Sequence, residues 1–364
     1  MTQRKHLSVY QQAMFWGAAL LLFIGFVWVF GKVLLPFVLG MALAYFLDPV
    51  MRRLCAFGLP RWAAAISILS IFVIVITALM IAILPLAFKQ AEQLITTLPA
   101  FIDKMTLQVA PYISWTQAHL GQDNVDSIRS AVKDNVGSAL SFSGGVLAGL
   151  ATGGQAIIGF ITTLVITPIV AFFMMKEWPD IKKWFYNILP RDSEQTIRNL
   201  LSRIDRKLAG FIRGQLSVSF ILAMIFSISL TIAGLNFGFL IGLLTGIFSI
   251  IPFVGSTLGL LISLVIAWLQ SGSWTYVGII AGIFAVVQFC EGNIISPRLL
   301  GKSVGIHPLW IFFSLLAGGH LFGFLGIVLA VPLIASIGVV VSYLITIYKA
   351  SPYYKSVRSK DAIS

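Results

Sequence analysis

The ionisable residues that lie inside apolar stretches are where this sequence could do chemistry. Glu291 is the most informative of them, because it stands at the end of an apolar run, shortly before the basic residue Arg298. A carboxylate at membrane depth is costly, so such groups usually face protein or water and carry a proton or a cation. The alternative is an interfacial Glu291 that pairs with Arg298 or Arg213, since charges normally lie at the ends of spans. With the amide of Asn293 beside it, Glu291 is a candidate for a solute or ion pathway.

A second candidate pair, Arg213 and Gln215, opens another apolar run after a highly charged segment. A guanidinium at the mouth of a cavity attracts a polar or anionic solute, whereas a snorkelling arginine needs no ligand. Asp48, which precedes a proline, fits a helix end or cap, and His320 fits a hydrogen-bonded structural residue. We expect Arg213 and Gln215 to lie with the first pair near the cytoplasmic entrance of a transport pathway.

Enzymatic and metal motifs are not found in the sequence. Gly301-Lys302-Ser303 resembles the end of a phosphate-binding loop, but Ser296 replaces the required first glycine. There is no HExxH, GxSxG or GxGxxG pattern, and the 4 histidines do not cluster with carboxylates. The 2 cysteines form no CxxC pair. We predict a protein that is not an enzyme, with no metal and no cofactor, and that draws any energy from an ion or solute gradient.

The composition indicates a lipid environment. Hydrophobic residues make up 58% of the chain and charged residues 10%, whereas soluble domains carry about 25% charge. The formal net charge of +12 is not that of a nucleic-acid binder, because the basic residues lie between apolar runs without an aromatic-interleaved basic stripe. The predicted partner is therefore the lipid bilayer and not a nucleic acid.

Long apolar runs predict an all-α, polytopic transmembrane protein with about eight apolar segments. A span needs roughly 20 apolar residues, and in lipid the backbone must bond internally, so each run should be a helix. The runs are Met14–Gly31, Val33–Leu47, Trp62–Phe88, Gln155–Met175, Phe211–Leu235, Phe237–Leu269, Tyr276–Ile295 and Pro308–Ile347.

Most basic residues fall on one side of the membrane when the chain is passed through it once for each run in order. Of the 25 Lys and Arg residues, 20 fall on one side of the membrane. Cytoplasmic loops carry the excess of Lys and Arg, so both termini should be cytoplasmic, in a multi-pass protein of the bacterial inner membrane. The organisation predicted from this threading is N-terminal transmembrane helices at 1–88, an extracytoplasmic amphipathic insert at 89–150, a transmembrane helix at 151–176, a cytoplasmic amphipathic segment at 177–210, a C-terminal transmembrane region at 211–348 and a basic cytoplasmic tail at 349–364.

Two late runs are too long for one simple span and are interrupted by glycine or proline. We expect helix breaks at Pro252 and Gly255 in one run, and from Gly318 and Gly319 through Gly326 in the other. Broken segments in corresponding positions point to a transporter's midplane site, because unwound backbone is tolerated only where it lines protein or water. Hairpin turns or simple kinks are the alternative.

A glycine stripe precedes the first of these breaks. Gly234, Gly238, Gly242 and Gly246 recur every fourth residue, which places them on one face of a helix. Small residues at this spacing let two backbones approach closely, so we predict a helix-packing role rather than contact with a solute. A subunit interface is the alternative.

Several ordered motifs resemble the autoinducer-2 exporter family, the PerM-like permeases of bacterial membranes. The resemblance covers nearly the whole chain. Its blocks are Pro36-x3-Gly40-x2-Leu43-Ala44-Tyr45-x-Leu47-x-Pro49, Gly210-Phe211-x-Arg213-Gly214-Gln215, Ile251-Pro252-x2-Gly255, Glu291-x-Asn293, His307-Pro308, Ala317-Gly318-Gly319-x2-Phe322-Gly323-x2-Gly326 and Ala330-Val331-Pro332.

This resemblance implies a membrane transporter that exports a small polar solute, with autoinducer-2 as the leading cargo. It also implies a homo-oligomer, for example a pentamer. Other members look like sodium or lithium ion/proton antiporters, so a monovalent cation exchanged for a proton at Glu291 is the first alternative. A membrane scaffold that binds a partner through Lys89–Leu150, without transport, is the second.

Overall fold

The architecture is helical wherever the structure describes it. This computed structural model describes residues 9–120, 154–189, 194–301, 307–352 and 354 of the 364-residue chain, and every regular element in those ranges is a helix. The elements are α1 (Val9–Ala56), α2 (Arg61–Leu120), α3 (Gly154–Ile188), α4 (Glu194–Ile232), α5 (Gly238–Phe248), α6 (Val254–Ser271), α7 (Trp274–Cys290), a π-helix (Glu291–Ile295), α8 (Ser296–Leu299) and α9 (Pro308–Ala350).

Membrane-length helices confirm the predicted all-α, polytopic fold class. Within the described residues, 6 helices are long and apolar enough to cross a bilayer: Val33–Ala56, Arg61–Leu94, Glu194–Ile232, Val254–Ser271, Trp274–Leu299 and Pro308–Ala350. The count of eight apolar segments is not confirmed. The first two predicted runs lie in the single helix α1, since the one lysine between them leaves the backbone hydrogen-bond ladder intact.

The predicted insert at 89–150 is described only in part. Residues 89–120 continue α2, which is 60 residues long, while residues 121–150 lie outside the described ranges. Residues 1–8 and 355–364, which include most of the predicted basic tail, also lie outside them. The predicted segment at 177–210 contains the end of α3 and the beginning of α4.

The chain divides into two compact units, each built from separated segments. Unit 1 comprises residues 1–66, 163–213 and 300–364, and unit 2 comprises residues 67–162 and 214–299. Neither unit is continuous in sequence, so folding must bring distant segments together within each one.

Small residues allow the helices of unit 1 to pack closely. A Cβ atom on Gly40 of α1 would lie 2.7 Å from the Cβ atom of Val170 in α3, which is too close for two carbon atoms. On the other side of α1, a Cβ atom on Gly31 would lie 3.8 Å from Leu325 of α9, an ordinary contact. Because lipid supplies little hydrophobic driving force between helices, such close packing is what holds them together.

The glycine stripe packs unit 2 in the same way. Gly242 and Gly246 of α5 lie against the backbone of Ser227 and Ala223 in α4, leaving no room for a Cβ atom. Gly234 is different, because it lies in the turn after α4 with a positive φ of 74°. The packing role predicted for the stripe therefore applies to its helical members.

The helix break in unit 2 separates α5 from α6. Pro252 lies in this break, and Phe253 at the beginning of α6 has a left-handed φ of 68°. Gly255 is already in the first turn of α6, where it lies against Thr245 of α5 and against Ser249, the residue that follows α5. A side chain at position 255 would therefore push the two helices apart.

The helix break in unit 1 is at Gly323, within the predicted stretch from Gly318 to Gly326 but not at Gly318 or Gly319. Gly323 has a φ of 58° and a ψ of −140°, the one non-helical conformation inside α9. A residue with a Cβ atom is strained in this region, so only glycine allows the kink at low cost. Gly318 and Gly319 are helical. Gly318 instead lets the two parts of α9 on either side of the kink approach closely, since a Cβ atom there would lie 2.6 Å from the carbonyl oxygen of Gly326.

Candidate functional site

Arg213 lies at the centre of a polar cluster in unit 1. Its Nε donates a hydrogen bond to the carbonyl oxygen of Tyr45 at 2.9 Å, and its Nη2 approaches Asp48 Oδ2 at 3.4 Å. Arg52 binds the same carboxylate oxygen at 2.8 Å. One carboxylate on α1 is therefore shared by two guanidinium groups, one from α4 and one from α1 itself.

The Tyr45 carbonyl is available to Arg213 because of Pro49. Proline has no N–H group, so Pro49 cannot donate to the carbonyl four residues earlier in the helix, which is that of Tyr45. The helix nevertheless continues through Asp48 and Pro49 to Ala56. The expectation that Asp48 ends or caps a helix is thus wrong, and its carboxylate instead holds the arginine that satisfies the free carbonyl.

Arg61 repeats this arrangement on α3. Its Nη2 donates to the carbonyl oxygen of Met175 at 2.7 Å. Pro179 lies four residues after Met175 inside α3, so this carbonyl also lacks its helical partner. Each of these two prolines therefore leaves a backbone acceptor that an arginine from another helix fills.

Asp205 on α4 is bound on both carboxylate oxygens. The hydroxyl of Tyr45 donates to Oδ1 at 2.7 Å, and Lys182 lies 3.1 Å from Oδ2. The ring of Tyr45 meets Trp178 edge-on at 6.2 Å between ring centroids, and Lys182 lies over that tryptophan. The cluster thus joins α1, α3 and α4 within unit 1.

These groups surround a cavity of about 260 Å³. Its polar lining comes from Tyr45, Asp48, Arg52, Arg61, Asp205, Arg206 and Arg213, and its apolar lining includes Met41, Met174 and Trp178. A cavity with convergent charged groups and an aromatic wall has the character of a small-molecule site.

Gln215 lies in unit 2 and is buried, with 7% of its surface exposed. Its Nε2 donates to the carbonyl oxygen of Ser249 at 2.6 Å. Ser249 follows the last residue of α5, where helix carbonyls have no partner within the helix. In this structure Gln215 therefore supports the break at Pro252.

Glu291 begins the π-helix, also in unit 2. Such wide turns often occur at functional sites because they interrupt the regular ladder. Glu291 Oε2 accepts a hydrogen bond from Gln288 at 2.9 Å, and Asn293 Nδ2 donates to the Phe289 carbonyl at 2.9 Å. In the described part of unit 2, no ion pair joins Glu291 to Arg298 or to another cation.

The predicted site residues are therefore divided between the units. Arg213, Gly318 and Gly319 belong to unit 1, whereas the others belong to unit 2. The structure joins Arg213 to α1 and Gln215 to α5, and it places Glu291 and Asn293 together in the π-helix. No group of three or more His, Cys, Asp or Glu side chains that could hold a metal occurs in the part of the chain that the structure describes.

Sequence reasoning missed Tyr45, Arg61 and Asp205 as members of the cluster. A usable signal was present, because a proline inside an apolar helix marks a free carbonyl four residues before it. In lipid that carbonyl must find another donor. The sequence around the proline does not indicate which arginine supplies the donor.

Comparison with known proteins identifies relatives over most of the chain. Residues 18–346 match a protein family that is described as AI-2E family transporter. YrrI of Bacillus subtilis (strain 168), named as a transport protein, is 30% identical over 303 residues, which is 82% of this chain and 83% of that protein.

Two Escherichia coli (strain K12) proteins are also similar to this chain over most of its length. PerM, named as a permease, is 26% identical over 322 residues, covering 87% of this chain and 89% of PerM. TqsA, named as an AI-2 transport protein, is 24% identical over 303 residues and covers 83% of each chain.

Proposed function

This chain belongs to the AI-2E transporter family, and from that premise we propose that it moves a small polar solute, with autoinducer-2 as the first candidate, out across the bacterial inner membrane. The chain is a multi-pass membrane transporter of that family, and the resemblance predicted from the sequence motifs is confirmed. The observation that carries the proposal is a family match that includes residues of both units, from 18 to 346. The cargo is suggested by TqsA, whose name specifies AI-2.

Arg213 is the proposed solute-contacting residue of unit 1, and Gln215, Glu291 and Asn293 are those of unit 2. Arg213 supports this role because it faces a cavity with polar and aromatic walls. Glu291 and Asn293 support it because they occupy a π-helix inside a span, where polar groups are rarely retained without a use. The breaks at Pro252 and Gly323 supply unwound backbone of the kind that transporters place along a pathway.

A monovalent cation/proton antiporter is the second candidate. It is favoured by one observation, namely that Glu291 lies in a span and has no cationic partner in the described part of its own unit. A carboxylate without a fixed counter-charge is suited to binding a proton and a cation in turn. The two candidates differ in whether transport requires this carboxylate.

Flux into proteoliposomes distinguishes them. The wild-type protein is compared with Glu291→Gln, using labelled autoinducer-2 in one set and sodium under an imposed pH gradient in the other. Glu92→Gln is the matched control, because Glu92 is an exposed carboxylate of the same unit that lies outside the proposed pathway. Autoinducer-2 flux that survives Glu291→Gln supports the exporter. Proton-coupled sodium flux that is lost in Glu291→Gln and kept in Glu92→Gln replaces it with the antiporter.

Further parts of the proposal concern assembly and activity. We propose a homo-oligomer with both termini in the cytoplasm and no catalytic activity, in line with the transporters and permeases that the chain resembles. The mass of the complex in nanodiscs, measured by native mass spectrometry, tests the oligomer. A mass of one chain would contradict it.

A further inference from the structure

The cavity of unit 1 has more positive charge than its carboxylates neutralise. Four arginines line it, with two aspartates. The aspartates are already engaged, because Asp48 is shared by Arg52 and Arg213, and Asp205 is bound by Lys182. The cavity therefore retains a cationic excess, which low-dielectric walls focus on any group inside it.

The arginines also have unused hydrogen-bond donors. A guanidinium carries several N–H groups in a planar fork. Arg52 uses Nε, Arg61 uses Nη2, and Arg213 uses Nε and Nη2. Arg206 makes no hydrogen bond or ion pair within the described residues, although it lines the cavity. The remaining donors are what an oxygen-rich anion would engage.

Both aspartates present little repulsion to such an anion. Asp205 has a donor on each oxygen, and two arginines neutralise Asp48 Oδ2. Arginine forks match the oxygen spacing of phosphate and carboxylate groups, forming paired, charge-assisted hydrogen bonds. The geometry thus favours an anion over a cation.

The cavity lies at the depth of the membrane interface. Asp48 and Arg52 are close to the end of the span Val33–Ala56, and Arg61 is the first residue of the span Arg61–Leu94. Basic pockets between spans at this depth bind the headgroups of anionic lipids. A volume of about 260 Å³ exceeds that of several water molecules at about 30 Å³ each, which is enough for a phosphate with its ester group.

We propose that this cavity binds a phosphate-bearing group, presented by the headgroup of an anionic phospholipid or by a soluble phosphorylated solute. Arg206 and Arg52 form the exposed rim that binds the phosphate oxygens, and Arg213 closes the inner end. Trp178 and Tyr45 supply the wall against which the esterified part packs. This cavity is also the one that Arg213 faces in the proposed solute pathway, but phosphate binding here does not depend on which solute is exported.

The test uses the full chain, purified in detergent, with the thermal unfolding midpoint as the readout. In one arm inorganic phosphate is raised at constant ionic strength. In the other arm the micelles contain phosphatidylcholine alone or with an equal amount of phosphatidylglycerol. The variant is Arg52→Gln with Arg206→Gln, and the matched control is Arg53→Gln with Arg203→Gln, which removes the same charge from exposed neighbours on the same two helices outside the cavity.

The wild type and the matched control should unfold at higher temperature as the probe is added. The cavity variant should need at least about tenfold more probe for the same rise, because two groups that donate charged hydrogen bonds to the phosphate oxygens are lost. A rise with inorganic phosphate identifies a soluble source, and a rise only with phosphatidylglycerol identifies a lipid headgroup.

No rise in either arm, or an equal rise in the cavity variant and the matched control, would overturn the proposal. Because the readout is stability and not flux, this result is independent of whether the protein exports autoinducer-2.

Discussion

Gln215 and Arg213 show how a single polar side chain in a membrane protein can serve the backbone. Each donates to a main-chain carbonyl on another helix, Gln215 to Ser249 and Arg213 to Tyr45. In lipid a carbonyl without a donor costs several kcal/mol, so such bonds are structural requirements. Sequence patterns alone predict a solute pathway for both residues. Their hydrogen bonds to backbone carbonyls give each a second, structural role that can be measured separately.

Replacing Gln215 with alanine should lower the free energy of unfolding by about 1–3 kcal/mol, because the Ser249 carbonyl loses its side-chain donor. Denaturant titration in mixed micelles measures this change. Gln93→Ala is the control, since the Gln93 side chain is exposed on α2. Unchanged stability together with lost flux would instead assign Gln215 to solute contact alone.

At the scale of the element, the prolines inside helices determine where other helices of unit 1 form hydrogen bonds to them. Pro49 and Pro179 do not end α1 and α3, which continue to Ala56 and Ile188. Each removes one backbone donor, and Arg213 and Arg61 occupy the carbonyls left free. A local defect in one helix is therefore a specific point of attachment for another.

The coupling between Pro49 and Arg213 can be measured by a double-mutant cycle. Arg213→Ala alone should destabilise the protein by about 1–3 kcal/mol, since the Tyr45 carbonyl is left without a donor. In a Pro49→Ala background the helix supplies its own N–H, so the same arginine change should cost less, with a coupling energy of about 0.5–3 kcal/mol. The cycle of Pro49→Ala with Arg53→Ala should be additive, because Arg53 is exposed and lies outside the cluster. Additivity in both cycles would contradict the role given to the proline.

The glycines of α5 set the distance between α4 and α5. Gly246→Ala should destabilise unit 2 by roughly 1–3 kcal/mol, because the added methyl group overlaps the backbone of Ala223 and the helices must separate. Gly282→Ala on α7 should be neutral or stabilise by up to about 1 kcal/mol, since nothing lies within 4 Å of a Cβ atom there and alanine favours the helix. Unfolding in micelles compares the two variants, and an equal loss in both would show that the close contact is not what matters.

For the whole molecule, the distribution of charge predicts orientation in the membrane. Threading the eight predicted runs in order puts 20 of the 25 basic residues on one side, which predicts that both termini are cytoplasmic. The structure joins the first two of these runs in the single helix α1. Residues 1–8 and 355–364 lie outside the described ranges, so this prediction depends on the sequence alone.

Single cysteines test the orientation in a chain that carries Cys55→Ser and Cys290→Ser. A membrane-impermeant maleimide should react with Ser127→Cys in intact cells. It should react with Ser8→Cys and Ser359→Cys only in inside-out vesicles. Labelling of either terminal cysteine in intact cells would reverse the predicted orientation of that end.

The sequence by itself determined that the chain is helical, spans a membrane several times and belongs to a transporter family. The helical, membrane-spanning fold follows from local composition, because an apolar segment of sufficient length has no other stable form in lipid. Family membership follows instead from the match along residues 18–346. The sequence also located Pro252 in a helix break, because the apolar run around it is too long for one simple span.

Only the tertiary structure decided which polar groups meet. Arg213 and Tyr45 are 168 residues apart in sequence, and Arg61 and Met175 are 114 apart, so no local pattern identifies them as partners. The kink at Gly323 and the helical state of Gly318 and Gly319 were decided in the same way. Several glycines in one apolar run are equally able to bend, and the packing around them selects which one does.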